Sequence, residues 1–209
     1  QRKAEHQHTQ QQAEQLRAEL TFLRAQISPH FLFNVLTNLV SLARKKSEQL
    51  EPSLLMLSDL MRYMLYDVQD RKISLQKEND YLKSYIDLQK LRFGQQVPIT
   101  CQIEVDHADY PYQIEPMLLI PLVENAFKHG VCVLENPQIQ IHLSVRKHAL
   151  VFTVRNRFDA DSASQTDDNR GIDLANLRAR LNLIYPNTNT LLISVTDNWF
   201  AVTLTLSLS

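Results

Sequence analysis

The most constraining feature is a run of apolar residues near the start of the chain, separated alternately by three and four positions. The run consists of Ala13, Leu16, Leu20, Leu23 and Ile27. This heptad spacing predicts a helix that packs along a partner helix. The polar, Gln-rich segment 1–15 favours a coil of two chains, and an amphipathic helix within a monomeric core is the alternative.

A second helix with the same spacing is predicted further along. Ser28 and Pro29 interrupt the first run, and they favour either a helix restart, with Ser28 as N-cap, or a kink in one continuous helix. Beyond Pro52 the alternating spacing returns in Leu54, Leu57, Met61, Met64 and Val68. With the polar turn 45–51 this makes a helical hairpin, and two hairpins would form a four-helix bundle.

After Arg71 the pattern predicts a mixed sheet with helices on one face, an α+β layer. Helices are expected at 76–93, at 116–130 with Gly130 closing the helix, and at about 172–185. Strands are expected at 97–105, 139–145, 150–154, 191–195 and 201–206, with hairpin turns at 147–148 and 197–198. Residues 157–170 are polar and irregular.

Composition excludes several classes of function. The net charge of −1 and the absence of a basic surplus argue against direct nucleic-acid binding. Cys101 and Cys132 have neither metal-ligand nor disulfide spacing, so reduced thiols in a cytoplasmic chain are expected. No run reaches the length of a membrane span, no signal peptide is found, and the start at Gln1 suggests a piece of a longer protein. With only three glycines, a glycine-rich nucleotide loop is excluded.

The first candidate for chemistry is His30, followed one helical turn later by Asn34 on the same face. Imidazole is a competent nucleophile near neutral pH. A structural or solvated histidine is the alternative, and it is favoured when this segment is considered alone.

The second candidate is the stretch 118–130. Its helical spacing directs one set of side chains toward a core: Leu122, Ala126 and Phe127. An adjoining polar stripe contains Asn125, Lys128 and His129. An Asn carbonyl is a suitable Mg²⁺ ligand and Lys a suitable phosphate partner. A polar surface with a Glu124–Lys128 pair is an equally good explanation.

The third candidate is the polar segment 157–170 with the Gly171 that follows it. A long loop leading into a helix that begins at a glycine is a phosphate-binding arrangement. A disordered surface loop is the alternative. Asn176, Arg178 and Arg180 on the next helix either reach phosphate or are solvated.

Five stretches, taken together and in order, resemble the LytS/YehU type of sensor histidine kinase. They are ISPHFLFNVLTNL, LSDLMRYMLYD, ENDYLKSYIDLQKLRFG, MLLIPLVENAFKHG and GIDLANLRARLNLIYP. They cover residues from about 20 to 186. Each stretch alone is only suggestive, but all five in the family's order are specific.

The resemblance implies a signalling helix with a dimerisation and histidine-phosphotransfer domain at 1–70, and a Bergerat-type α/β sandwich ATP-binding domain at 71–209. It implies His30 as phosphoacceptor, with Asn34 beside it. It implies a nucleotide site with Mg²⁺ on Asn125, consisting of Asn125, Lys128, His129, Gly130, Asn156, Gly171 and Arg178. Segment 157–170 would be the lid over ATP.

The resemblance also implies partners and a location. The chain would form a homodimer and pass phosphate to the receiver domain of a response regulator, usually of the LytTR type. It would be the cytoplasmic portion of an inner-membrane protein, attached to the membrane only through the missing upstream part.

The sequence departs from common histidine kinase patterns at three places. Phe31 stands where many kinases carry an acid after the phosphoacceptor, so Glu124 is the candidate base. No Asp-x-Gly motif follows the strand near Asn156, which leaves adenine recognition open. Asp173 replaces a glycine after Gly171, and a carboxylate near the triphosphate predicts weaker ATP binding.

These departures keep two other functions open. One is a catalytically weak signalling scaffold that dimerises and binds a partner protein. The other is an ATPase-fold regulator of the anti-sigma type, and the His30 segment argues against it.

Overall fold

The computed structural model describes residues 29–67, 72–105, 112–131, 136–158 and 167–208, but not the side chains of 29–30 and 167–173. The seam from Ala13 to Ile27, Ser28, Val68, Cys132 and residues 159–166 of the predicted lid lie outside these ranges. The α-helices are α1 (Pro29–Arg44), α2 (Leu50–Leu65), α3 (Leu75–Phe93), α4 (Ile120–Gly130) and α5 (Asp167–Ile184). The strands are β1 (Ile73–Ser74), β2 (Ile99–Glu104), β3 (Gln113–Ile114), β4 (Ile139–Arg146), β5 (Ala149–Arg157), β6 (Asn189–Thr196) and β7 (Trp199–Ser207).

Helices α1 and α2 form the predicted hairpin. Its inner stripe on α1 consists of Phe31, Val35 and Leu39, which are buried at four-residue spacing. The stripe on α2 consists of Leu57, Leu60 and Tyr63. Both helices also contact α3, so the hairpin packs against the rest of the chain.

The larger sheet has five strands in the order β2-β4-β5-β7-β6. The β2–β4 pair is parallel and the other pairs are antiparallel. Alternate residues of β4 and β5 are buried on one face, which α4 covers. A small antiparallel pair, β1–β3, lies apart from this sheet. The α+β class is confirmed, as a helical hairpin followed by a mixed sheet with helices.

Both predicted hairpin turns are confirmed. Lys147 and His148 have φ values of 50° and 65°, and Asp197 and Asn198 have 52° and 61°. Two consecutive residues with positive φ are the signature of a tight two-residue β-turn. The division into domains at residue 70 stays a prediction.

Three predicted helix starts are wrong. Helix α2 begins at Leu50, so that Pro52 lies in its first turn, where a missing N–H costs nothing. Helix α4 begins at Ile120 rather than residue 116, because residues 116–119 form a turn. Helix α5 begins at Asp167, four residues before Gly171.

Candidate functional site

Helix α4 carries most of the predicted site. A proline in its first turn is compatible with a helix start. Leu122, Ala126 and Phe127 are buried, and α4 packs on β4 and β5. The prediction that these three side chains face the core is confirmed, and the polar stripe therefore faces away from the sheet core.

Asn125 is the notable polar residue of α4. Its side chain is only 4% exposed, and its Oδ1 atom is buried without a hydrogen-bond partner among the described residues. Leaving such an acceptor unsatisfied costs about 1–3 kcal/mol. An amide oxygen is a good ligand for Mg²⁺, so this atom fits the metal predicted at Asn125.

Three further predicted residues lie on the same helix. Lys128 is exposed, and Glu124 and His129 are half-buried. Burial raises the pKa of Tyr85, and the negative charge of Glu124 raises it further. Glu124 acts on the pKa of Tyr81 in the same direction, again after burial. The Glu124 carboxylate therefore lies within electrostatic reach of α3.

Gly130 and Asn156 lie in direct contact. A Cβ atom added at Gly130 would be 2.5 Å from the Cβ of Asn156 and 2.9 Å from its Cγ. Gly130 is the last residue of α4, which confirms the predicted end of this helix, but its φ is not positive, so it is not a left-handed glycine cap. The glycine instead allows the end of α4 to approach the end of β5. The Asn156 side chain donates from Nδ2 to the carbonyl of Arg157 at 2.8 Å.

A series of aromatic ring contacts connects the start of α1 to α4. His30 is the second residue of α1. The next residue, Phe31, stacks on Tyr85 with ring centroids 4.4 Å apart. Tyr85 in turn meets Phe127 edge-on at 6.2 Å. The backbone at His30 is therefore held near the helix that carries Asn125, while Asn34 is half-buried on the next turn.

The residues of α5 form a less coherent group. Gly171 and Asp173 are the fifth and seventh residues of the helix, so neither lies at its start as predicted. Arg178 donates from Nη2 to the carbonyl of Leu191 on β6 at 3.2 Å. The nucleotide roles predicted for Gly171 and Arg178 stay predictions.

Arg180 is neither solvated nor directed at a phosphate. Its guanidinium is buried, donates to the carbonyls of Pro116 and Met117, and forms an ion pair with Glu115 at 3.6 Å. Both alternatives considered for Arg180 are therefore wrong. The residue fixes the turn that precedes α4.

Sequence reasoning missed one more residue, Glu78 on α3. Its carboxylate is fully buried and accepts hydrogen bonds from the backbone N–H groups of Met117, Leu118 and Leu119. The available signal was the position of a charged residue between Leu75 and Leu82 on the apolar stripe of α3. An ionisable group at such a position is rarely buried unless it is paired.

Comparison with known proteins finds similarity to histidine kinases. Residues 18–97 match the model of the family described as histidine kinase. The sensor protein LytS of Streptococcus mutans serotype c is 28% identical over 201 residues, which cover 88% of this chain and 34% of LytS. LytS of Oceanobacillus iheyensis is 38% identical over 114 residues, or 54% of this chain and 19% of that protein.

The chain resembles LytS-type sensor histidine kinases. It spans about a third, or less, of the length of these LytS relatives. Among solved structures, the histidine kinase domain of the blue-light activated kinase of Erythrobacter litoralis EL346 has a TM-score of 0.49 and 13% identity, with coverage of 93% of this chain and 96% of that one. The catalytic domain of histidine kinase ThkA has a TM-score of 0.45 and 15% identity, with coverage of 65% and 94%.

Within the described ranges, none of the helices combines the length and hydrophobicity needed to cross a membrane.

Proposed function

We propose that this chain is the kinase portion of a two-component sensor histidine kinase. It phosphorylates His30 from ATP and then passes the phosphoryl group to an aspartate of a response regulator. The observation that carries this proposal is the pairing of two features. The Asn125 oxygen on α4 is buried without a partner, and the start of α1 is packed beside the same helix through Phe31, Tyr85 and Phe127.

The roles of the residues follow from their chemistry. The His30 imidazole attacks the γ-phosphorus as its bond to the ADP oxygen breaks, and the imidazole then gives up its proton. Glu124 is our candidate for the base that receives this proton, because it lies on α4 and its charge reaches Tyr85, the ring on which Phe31 stacks. Asn34, on the face of α1 that carries His30, would orient the imidazole.

The nucleotide would be held by α4 and the end of β5. Asn125 would ligate Mg²⁺, which neutralises charge on the phosphates. Lys128 and His129, one turn further along, would contact the phosphates, and the close approach of Gly130 to Asn156 would shape the wall of the site. Gly171 and Arg178 on α5 would complete the nucleotide site.

An apolar surface on the hairpin supports a homodimer through a four-helix bundle. Large apolar side chains of α1 and α2 remain exposed, namely Phe33, Leu36, Val40, Leu54, Leu55, Met61, Leu65 and Tyr66. Large exposed apolar side chains concentrated on two paired helices are typical of a protein interface. We refer to these eight residues as the bundle surface, and a second copy of the hairpin is the proposed occupant.

The remaining partners are proposed from the family resemblance. The phosphoryl group would go to the receiver domain of a response regulator, of the LytTR type. The chain itself would make no direct contact with nucleic acid. It would be the cytoplasmic portion of a membrane protein, since the LytS relatives are named sensor proteins and extend well beyond the matched region.

One labelling experiment tests the proposal. Incubation with ATP labelled in the γ-phosphate and Mg²⁺ should label the protein, and the label should be lost in acid and retained in base. His30→Gln should abolish the label. His142→Gln is the matched control, because His142 lies on β4 with its side chain 41% exposed. Labelling of the His30→Gln protein at the wild-type level would refute the assignment, and a wild type that takes up no label would favour the scaffold function.

A further inference from the structure

The turn 115–119, which leads into α4, has polar contacts with three other helices. It donates backbone hydrogen bonds to Tyr63 on α2 and to Glu78 on α3, and it accepts from Arg180 on α5. Two of the residues involved, Glu78 and Arg180, are buried charged groups on either side of the turn. Buried charges are retained only where they are well paired, so this turn has a fixed position.

Glu78 caps the turn that leads into α4, although it comes from a different helix. Its Oε1 atom accepts from the N–H groups of Leu118 at 2.9 Å and Leu119 at 3.1 Å, and its Oε2 atom accepts from Met117 at 3.0 Å. The first N–H groups of a helix lack partners within the helix, and Leu119 offers no side-chain cap. Burial raises the pKa of Glu78, and its hydrogen-bond donors oppose that rise.

The fourth donor to Glu78 is the hydroxyl of Tyr63, near the end of α2. Burial raises the pKa of Tyr63 far above its usual value, with a further contribution from Glu78, so the group remains a hydroxyl donor at physiological pH. The Tyr63 oxygen also accepts from the N–H of Met117 at 3.2 Å. The hairpin is thus bonded directly to the turn that leads into α4.

This bond lies at the same end of the hairpin as His30. Helices α1 and α2 run in opposite directions, so the start of α1 and the end of α2 are neighbours. At this end Phe31 rests on Tyr85 and Tyr63 stacks on Tyr81, with ring centroids 4.4 Å and 4.1 Å apart. All of these contacts form within a single chain. The His30 end of the hairpin is therefore docked on α3 of its own chain by two aromatic stacks and one buried hydrogen bond, and α3 meets α4 through Tyr85 and Phe127.

We propose that Tyr63 is a positioning residue for the phosphorylation of His30. Its bond to Glu78 holds the His30 end of the hairpin against α3, and so beside α4, of the same chain, so that each chain phosphorylates its own histidine. This inference rests on the proposed kinase function. Tyr63 would touch neither ATP nor the imidazole, and it would act only by fixing their relative placement.

Tyr63→Phe isolates this role. The substitution keeps the stacked ring and removes only the hydroxyl. Glu78 still accepts hydrogen bonds from its three backbone donors in the turn before α4. Tyr81→Phe is the matched control, because it removes a hydroxyl from the same stacked pair, and the Tyr81 hydroxyl has no hydrogen bond within the described part of the chain. The rate of His30 labelling at saturating ATP and Mg²⁺ and the affinity for a fluorescent ATP analogue are measured for both.

We expect Tyr63→Phe to slow labelling by about tenfold at unchanged nucleotide affinity, and Tyr81→Phe to change neither. A loss of general stability would instead lower the affinity as well. Labelling by Tyr63→Phe at or above the wild-type rate would overturn the proposal. Hydrogen–deuterium exchange of residues 75–93 should rise in Tyr63→Phe alone. Because exchange requires no activity, unchanged exchange would reject docking even if the wild type proved inactive as a kinase.

A mixed dimer tests the same-chain claim without altering Tyr63. One chain carries His30→Gln and the other carries Asn125→Ala, with different affinity tags so that the mixed species is purified. Phosphorylation within a chain leaves this dimer unlabelled, because neither chain has both an acceptor and an intact nucleotide site. Label on the Asn125→Ala chain would refute the claim. A dimer of wild type with His30→Gln is the positive control and should take up label.

Discussion

Gly130→Ala is the substitution whose sign depends most directly on the tertiary structure. In an ordinary helix, alanine is favoured over glycine by about 1 kcal/mol. The backbone of Gly130 has the right-handed helical conformation, so alanine would cause no backbone strain there. Local structure alone would therefore predict a stabilised protein.

Contact with β5 reverses this expectation. The added Cβ would be 2.5 Å from the Cβ of Asn156 and 2.9 Å from its Cγ and Nδ2 atoms. Carbon atoms in contact prefer about 3.5–4.0 Å, so the end of α4 must move away from the strand by about an ångström. Overpacking of this kind costs about 1–3 kcal/mol, which leaves a net destabilisation of up to about 2 kcal/mol after the helix gain.

Urea unfolding followed by circular dichroism measures this change. The same displacement would shift Lys128 and His129, so affinity for a fluorescent ATP analogue should fall together with stability. The control is a double-mutant cycle with Asn156→Gly, which removes all three atoms that the new methyl group meets. Alanine at position 130 should be tolerated in that background. A Gly130→Ala protein at least as stable as wild type would refute the reasoning.

Three further predictions concern Asn125, Glu78 and the bundle surface. Asn125→Ala should weaken the binding of ATP with Mg²⁺ by about tenfold in calorimetric titration. It should cost less than about 1 kcal/mol of unfolding free energy, because it removes an unsatisfied buried acceptor. Unchanged affinity would contradict the metal assignment. Glu78→Gln should lower the unfolding free energy in urea by about 2–3 kcal/mol, because an amide NH₂ group would then face backbone N–H donors. The control Glu104→Gln, in an exposed ion pair, should cost about 0–1 kcal/mol. Equal losses in the two variants would argue against the capping role. Phe33→Asp should give a monomer in light scattering, because Phe33 belongs to the bundle surface. The control Leu192→Asp on β6 should remain a dimer, although Leu192 is 61% exposed and Phe33 is 68% exposed. A dimeric Phe33→Asp protein would place the interface elsewhere.

The sequence by itself determined most of the local structure. Alternation of apolar residues located β4, β5 and β7, because each strand has one face on the core. The pairs 147–148 and 197–198 were identified as turns, because such residues tolerate positive φ at the tip of a hairpin. The spacing of Leu122, Ala126 and Phe127 correctly predicted the buried face of α4.

Two of the wrong predictions, the start of α4 and the role of Arg180, depend on contacts between distant parts of the chain. Helix α4 begins at Ile120 because Glu78, 41 residues before Leu119 in the sequence, caps the turn in front of it. Spacing within a segment shows which side chains share a face. It does not show which remote residue satisfies the backbone groups at a helix end.

Only the tertiary structure decided the roles of Arg180, Gly130 and Tyr63. From the sequence, Arg180 suits a phosphate as well as it suits water, but in the fold it binds carbonyls 63 and 64 residues away. Position 130 requires glycine because atoms of Asn156 occupy the space that a side chain would need. Tyr63 occupies an apolar position of α2 like its neighbours, and its hydroxyl acquires a function only because folding brings the buried carboxylate of Glu78 to it. A buried polar group is defined by its partner, and the partner is chosen by packing across the whole chain rather than by local spacing.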